Sequence, residues 1–319
     1  MVGRTLAFVF PGQGSQSVGM LSSFADRPEI GEVLERASVV LGQDIGKLIS
    51  SGPAEDLDLT VNTQPAMLIA AVAIYRAWRA AGGAEPAWVA GHSLGEYSAL
   101  TVAEALTLDD AVRVVRFRAT AMQEAVPVGV GAMAAVLGLS DDDVRRACAE
   151  AADGEVVEAV NFNAPAQVVI AGQRAAVERA CAAAKQLGAK RAVLLPVSAP
   201  FHSSLLRGAG ERLRQFLLST RIEPPRIPLI NNVDVAVESE PARIVDALAR
   251  QASSPVRWVE TIKALQARGV THIVECGPGK VLSGLAKRIA PELECLSIST
   301  QHGLTEAVEA LGPQGAAAA

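Results

Sequence analysis

Gly91-His92-Ser93-Leu94-Gly95 has the G-x-S-x-G spacing that a nucleophilic serine needs. The two glycines let the backbone turn sharply with no Cβ in the way, so the Ser93 hydroxyl can project from the turn. A serine hydroxyl is a weak nucleophile on its own and needs a base beside it. Among the four histidines, His92 lies inside the turn and is expected to point away from its neighbour, while His272 and His302 read as packing or surface residues. His202 is placed differently, in Val197-Ser198-Ala199-Pro200-Phe201-His202-Ser203-Ser204, between a strand end and a helix. Catalytic groups gather in such loops in open parallel sheets, which makes His202 the candidate base. No Asp or Glu near it stands in a strand-end loop, so a Ser-His dyad is expected, with a backbone carbonyl fixing the imidazole tautomer. The chemistry open to such a pair is acyl transfer or ester hydrolysis through an ester on Ser93.

The elements that must position these residues are legible in the apolar pattern. Residues 5–10 (TLAFVF) form a short apolar run closed by Pro11-Gly12-Gln13-Gly14-Ser15, which reads as a buried strand ending in a glycine-rich loop. Residues 88–90 are a second buried strand, and the serine turn then opens a helix over 96–105. The N-terminal amides of that helix, including that of Leu94, face the point where an oxyanion would form. Helices are expected over 63–80 and 109–124, the second carrying Arg113, Arg116 and Arg118, which in isolation read as a solvated face.

After Pro127 the pattern changes to strand 132–137, helix 141–152 capped by Ser140, strands 156–161 and 167–171, helix 175–187 and strand 191–197. That β-α-β-β-α-β order is the split arrangement of a ferredoxin-like unit. Beyond it come a helix over 203–218, strands near 227–231, 272–275 and 296–299, and helices near 240–251, 256–268 and 280–289. Strands alternating with helices argue for a parallel sheet. The expected fold class is α/β, a large parallel-sheet α/β-hydrolase-like domain (1–126 and 200–311) interrupted by a small ferredoxin-like domain (127–199), with a flexible tail at 312–319.

Composition removes several function classes. Half of the 319 residues are hydrophobic, a fifth charged and only 4% aromatic, which suits an aliphatic core under helices. With a formal charge of -5 and no basic tract, there is no electrostatic footprint for nucleic acid. Cys148, Cys181, Cys276 and Cys295 are scattered, so neither a disulfide framework nor a zinc site is expected, and reduced thiols suit a cytoplasmic protein. No apolar run is long enough to span a bilayer, and no charged-then-apolar leader precedes the first strand.

Five segments in this order carry a resemblance: Phe10 to Gln16 (FPGQGSQ), Gly91 to Glu96 (GHSLGE), Asn161-Phe162-Asn163, Val197 to His202, and Glu275-Cys276-Gly277-Pro278-Gly279. Together, over residues 5–299, they resemble the malonyl-CoA:acyl carrier protein transacylases of fatty acid synthesis and the acyltransferase domains of polyketide synthases. The resemblance implies that Ser93 is acylated and that His202 takes its proton. It further implies that Gln13 and Leu94 form the oxyanion hole, that the Gln251 carbonyl orients His202, and that Arg118 grips the free carboxylate of malonyl. A planar guanidinium suits that task, because it binds a carboxylate through two parallel hydrogen bonds. Phe201 would crowd a branched acyl group, and Asn163 is placed with the substrate. Lys190-Arg191 and Lys287-Arg288 are candidates for docking coenzyme A phosphates or an acidic carrier protein, against an ordinary solvated face. The expected protein is a monomer needing no cofactor, with malonyl-CoA as a substrate and acyl carrier protein as a transient partner; a chain with no fused ketosynthase favours the fatty acid role over a polyketide carrier. A serine esterase would need a carboxylate on His202 and no arginine, and a catalytically silent scaffold would have lost Ser93, His202 or Gln13.

Overall fold

The structure, a computed structural model, describes residues 4–197 and 199–312. Ser198 of the histidine loop and residues 313–319 of the expected tail lie outside the described residues; Gly312 follows the last helix, Gln301–Leu311. The strands among the described residues are β1 (Leu6–Phe10), β2 (Trp88–Gly91), β3 (Gly131–Leu137), β4 (Val157–Ala164), β5 (Gln167–Gln173), β6 (Arg191–Leu194), β7 (Leu229–Ile230), β8 (His272–Cys276) and β9 (Glu294–Ile298).

Five of them form a parallel sheet in the order β7-β2-β1-β8-β9. The central strand is buried along its whole length, which is why its sequence is a continuous apolar run and not an alternating one. Its alternate side chains serve two cores. Leu6, Phe8 and Phe10 pack with helices Thr60–Ala80 and Leu108–Glu124, Phe8 meeting Tyr75 and Trp78 edge-on at 5.5 and 5.4 Å. Ala7 and Val9 face the other way, with helices Trp258–Ala267 and Val281–Ile289. The large unit is therefore a helix-sheet-helix sandwich, consistent with the α/β-hydrolase-like expectation.

The other four strands form an antiparallel sheet in the order β4-β5-β3-β6, covered by helices Asp141–Ala151 and Arg174–Gln186. Counted from the first of them, the order is 2-3-1-4 in a β-α-β-β-α-β chain, the ferredoxin-like topology. Ser140 caps its first helix as expected, accepting from the amide of Asp143 at 3.1 Å.

The two sheets are laced together. The backbone of Val256 donates to the carbonyl of Val160 at 2.8 Å and accepts from the amide of Phe162 at 3.0 Å, so a loop of the large unit pairs with β4. At the β4–β5 turn, Arg288 binds the carbonyl of Pro165 at 3.1 Å and the side chain of Gln167. Pairing of β4 with β5 slips at two places, between Ala159 and Asn161 and between Phe162 and Ala164.

Several expected elements differ in extent. The helix expected over 203–218 is a 3-10 turn, Ser204–Leu206, followed by helix Arg207–Leu218. The strand expected over 191–197 ends at Leu194, because the chain leaves the sheet to reach the site, and that expected over 227–231 pairs only at Leu229–Ile230. Helices Pro28–Leu41, Ile45–Ser51 and Gln301–Leu311 occupy segments where the sequence reading placed no element.

Candidate active site

Ser93 stands two residues past the end of β2, at a φ of 54°, the left-handed region that a residue with a side chain enters only at a cost. The turn is tight enough to need both glycines. A Cβ on Gly91 would lie 1.9 Å from the carbonyl carbon of Gly95, and one on Gly95 would lie 2.0 Å from the Phe10 carbonyl oxygen. The turn is also braced from outside. The side chain of Asn232, just past β7, accepts from the Ser93 amide at 2.7 Å and donates to the Gly91 carbonyl at 2.7 Å. The Ser93 amide is thus occupied, and the next amide, at the start of the helix beginning at Gly95, is that of Leu94.

The base arrives from the opposite side. Ser93 Oγ and His202 Nε2 are 2.7 Å apart, and His202 Nδ1 is 2.8 Å from the carbonyl oxygen of Gln251. That carbonyl can only accept, so Nδ1 carries the proton and Nε2 is left to receive one from the serine. His202 also has positive φ, at 66°. Burial, reinforced by the Arg118 charge and opposed by the Gln251 hydrogen bond, pushes its pKa down to about 3. The imidazole is therefore neutral and ready as a base at ordinary pH.

Arg118 is the largest buried charged side chain near the serine, 1% exposed. Its Nη1 donates to Gln64 Oε1 at 2.6 Å, and its Nη2 donates to Ser93 Oγ at 3.1 Å and to Gln251 Oε1 at 3.0 Å. The guanidinium carbon lies 5.3 Å from the centre of the Tyr97 ring. Its Nε is buried with no hydrogen-bond partner among the described residues. Burial lowers its pKa, with Tyr97 and Glu96 acting against that. A buried cation with an unused donor beside the nucleophile has the chemistry to receive an anionic group. Arg116 is half-buried on Gln43 and Asn62, and Arg113 pairs with Asp110 at the surface, so the helix phase alone separates Arg118 from its two neighbours.

A cavity of about 120 Å³ opens on these groups. Gln13, Leu94 and Phe201 line it, together with Met122, Met133 and Asn161. Gln13 is steadied by a hydrogen bond from its Nε2 to Thr60 at 3.3 Å. Asn163 stands one step back: its Oδ1 meets Nε2 of His92 at 2.8 Å, and it is His92 that lines the cavity. His92 Nε2 is thus engaged with Asn163 and not with Ser93, and Asn161 and Asn163 stand at the two register slips of β4. Lys190 and Arg191 are exposed at the start of β6, beside Gly138, whose amide bonds Ala166. Arg288 reaches the same turn from the large unit, where it is engaged with Pro165 and Gln167 and is not a free cation; Lys287 precedes it in helix Val281–Ile289 and is exposed. His272 and His302 lie apart from the site, beside Glu294 and Glu306.

Gln64, Glu96 and Asn232 were not singled out by the sequence. Glu96 directly follows the serine motif, which was the available signal; Gln64 and Asn232 gave none, since each acts through a contact more than 50 residues distant. Among the described residues no group of three or more His, Cys, Asp or Glu converges as for a metal, and no helix is long and apolar enough to cross a membrane.

A strained serine, a neutral buried imidazole and a buried guanidinium at the end of a parallel sheet define an enzyme that transfers acyl groups through a serine ester. The chain belongs to the acyl transferase domain family, which matches residues 7–290. It is 51% identical over 304 residues to the malonyl CoA-acyl carrier protein transacylase of Escherichia coli, covering 95% of this chain and 98% of that one. It is 42% identical over 308 residues to the protein of the same name from Bacillus subtilis, covering 96% and 97%. Among solved structures, an acyl-carrier-protein S-malonyltransferase from Burkholderia pseudomallei superposes with a TM-score of 0.94 at 62% identity, over 96% of this chain and 99% of that one. A type II PKS acyl-carrier protein in complex with its malonyl-transacylase contains a chain that superposes with a TM-score of 0.95 at 46% identity, over 96% and 99%.

Proposed function

We propose that this protein transfers the malonyl group from malonyl-CoA to the phosphopantetheine thiol of acyl carrier protein, supplying malonyl-carrier for fatty acid elongation. The observation that carries the reading is the meeting of an imidazole and a guanidinium on one serine oxygen. Ser93 Oγ lies 2.7 Å from His202 Nε2 and 3.1 Å from a nitrogen of Arg118. As Oγ attacks the thioester carbon, its proton passes to His202 Nε2 and the carbonyl oxygen gathers charge beside the amides of Gln13 and Leu94. Collapse of that intermediate breaks the carbon–sulfur bond, and the imidazolium returns the proton to the departing CoA thiolate. In the second half, His202 takes the proton of the carrier thiol, sulfur attacks the Ser93 ester, and the proton goes back to Oγ. Arg118 holds the malonyl carboxylate throughout. That contact selects a carboxylated acyl group and fixes the ester against wandering into reach of water.

The remaining parts of the reading rest on placement. The Gln251 carbonyl orients the base, Phe201 narrows the acyl seat, and Asn163 acts on the substrate by holding His92. Lys190, Arg191 and Lys287 form the docking rim for an acidic carrier, with Arg288 bracing the turn between them. We take the large unit as 1–126 with 200–311 and the inserted unit as 127–199, in a cytoplasmic monomer using no cofactor; the four cysteines, free in the structure, suit a reducing compartment. A polyketide carrier is the second reading, favoured by the likeness to a malonyl-transacylase bound to a type II PKS carrier. Esterase activity is disfavoured because His202 Nδ1 meets a carbonyl and not a carboxylate.

The test is to mix the protein with malonyl-CoA and weigh it. A malonyl adduct on the peptide holding Ser93, absent in Ser93→Ala and discharged on adding holo acyl carrier protein, is the expected result. Release of free malonate at the same rate with and without carrier would overturn the assignment.

A further inference from the structure

Glu96 carries a carboxylate that no step of the acyl transfer uses. It is 1% exposed and sits behind the serine turn. Its Oε2 accepts from the backbone amide of Asn232 at 2.9 Å and from Nε2 of Gln251 at 2.8 Å. Burial pushes its pKa up to about 7, against those two hydrogen bonds and the Arg118 charge. Oε2 serves as an acceptor in either state, because a proton can sit on the other oxygen.

The partner it fixes is a side chain with two unlike ends. The amide nitrogen of Gln251 has two hydrogens, and both are used, one on Glu96 and one on the Ser93 carbonyl at 3.1 Å. The oxygen end is thereby turned toward Arg118, whose Nη2 it accepts at 3.0 Å. With the carboxamide reversed, its NH2 would face the guanidinium, donor against donor, and its oxygen would face two acceptors. Three contacts thus oppose reversal, on the Ser93 carbonyl, Arg118 and Glu96, and Glu96 supplies the one acidic acceptor among them, so its loss loosens the carboxamide. The guanidinium is then held between two carboxamide oxygens, Gln64 on Nη1 and Gln251 on Nη2, with Nε left free.

We infer that Glu96 is a positioning residue for acyl selection: by fixing the Gln251 carboxamide it sets the guanidinium of Arg118 that receives the acid end of the acyl group. This rests on the malonyl-transfer reading above. Loss of the Glu96 acceptor lets the carboxamide turn and the guanidinium drift, which harms a carboxylated acyl group more than an uncharged one. An effect on folding or on the serine turn alone would harm both equally.

The experiment compares kcat/KM for malonyl-CoA and acetyl-CoA, with the same holo carrier protein as acceptor, in the parent, Glu96→Ala and Glu96→Gln. In Glu96→Ala the malonyl-to-acetyl ratio is expected to fall at least about tenfold, as expected when an interaction made with one substrate alone is lost. Glu96→Gln keeps an oxygen acceptor of the same reach and is expected to hold the ratio within about threefold of the parent. Equal losses on both substrates in Glu96→Ala would overturn the inference, as would a Glu96→Gln ratio as low as that of Glu96→Ala. Should Glu96→Ala not fold, Gln251→Met removes the carboxamide while keeping the carbonyl on His202; an unchanged ratio there overturns the inference equally. A parent that uses acetyl as readily as malonyl would refute the malonyl reading itself, whereas a selective parent with a selective Glu96→Ala refutes only the role of Glu96.

Discussion

Arg118 and His202 show how burial assigns opposite tasks to two cationic side chain types. The guanidinium cannot shed its charge, so it is held by Gln64 and Gln251 with Nε to spare; the imidazole gives up its charge and becomes a base. Replacing Arg118 by Ala should cost about 3 kcal/mol or more with malonyl-CoA, hence at least about a hundredfold in kcat/KM, and much less with acetyl-CoA. Arg118→Lys should not restore the preference, since an ammonium lacks the planar fork. Steady-state rates with the two thioesters decide it. His202 has a pKa depressed to about 3, from 6.5 in the unfolded chain. Between those values the unfolded state binds a proton that the folded state refuses, so the stability this group gives is full above pH 6.5 and is lost as pH falls toward 3. Relative to His202→Gln, the parent should therefore lose stability between pH 7 and pH 4; parallel urea midpoints at both values would refute the burial argument. Ser93 and His202 were legible in the sequence because a tight turn and a strand-end loop have local signatures. Glu96, Gln64 and Asn232 were not, because a buried carboxylate or amide looks like any helix or loop residue until its partner is known.

Elements succeed or fail here at their junctions. The strand-to-helix turn holds because Gly95 has no Cβ, which would stand 2.0 Å from the Phe10 carbonyl oxygen. Gly95→Ala has no flexible neighbour to displace and should cost more than about 4 kcal/mol or abolish folding. Gly31, within helix Pro28–Leu41, has open space within 4 Å of where a Cβ would stand, so Gly31→Ala should stabilise by about 0.5–1 kcal/mol. Thermal melts of the two variants should move in opposite directions. Continuous apolar runs marked β1 and β2 to within one residue, and the order of strands and helices after Pro127 marked the ferredoxin-like unit. Their extents failed where tertiary pairing decides: β7 keeps two paired residues, and the chain after Leu194 leaves its sheet to line the cavity with Leu195 and Val197. Helix Pro28–Leu41 went unread although Pro28 and Gly42 mark its ends, the N-terminal proline and C-terminal glycine that helices favour.

At the scale of the molecule, the proposed function asks an acidic protein to receive an acidic carrier. Lys190 and Arg191 are exposed at the start of β6, next to Gly138, whose amide bonds Ala166 in the Pro165–Gln167 turn, a local pair of positive charges on a chain of net charge -5. Reversing Lys190 and Arg191 to Glu should raise KM for the carrier several-fold and flatten its salt dependence, while acylation of Ser93 by a short malonyl thioester lacking nucleotide stays within about twofold. Unchanged carrier kinetics would remove this rim from the docking surface. The stitches that join the two sheets have a practical consequence for anyone grafting acyl preference from one relative to another. Val256 is threaded between Val160 and Phe162 as though it belonged to the inserted unit, and Arg288 ties down its far turn. Cut points at 127 and 199 would sever neither contact in the chain, yet would place both against a foreign backbone. A transplanted insert travels intact only if residues 254–257 and 288 go with it.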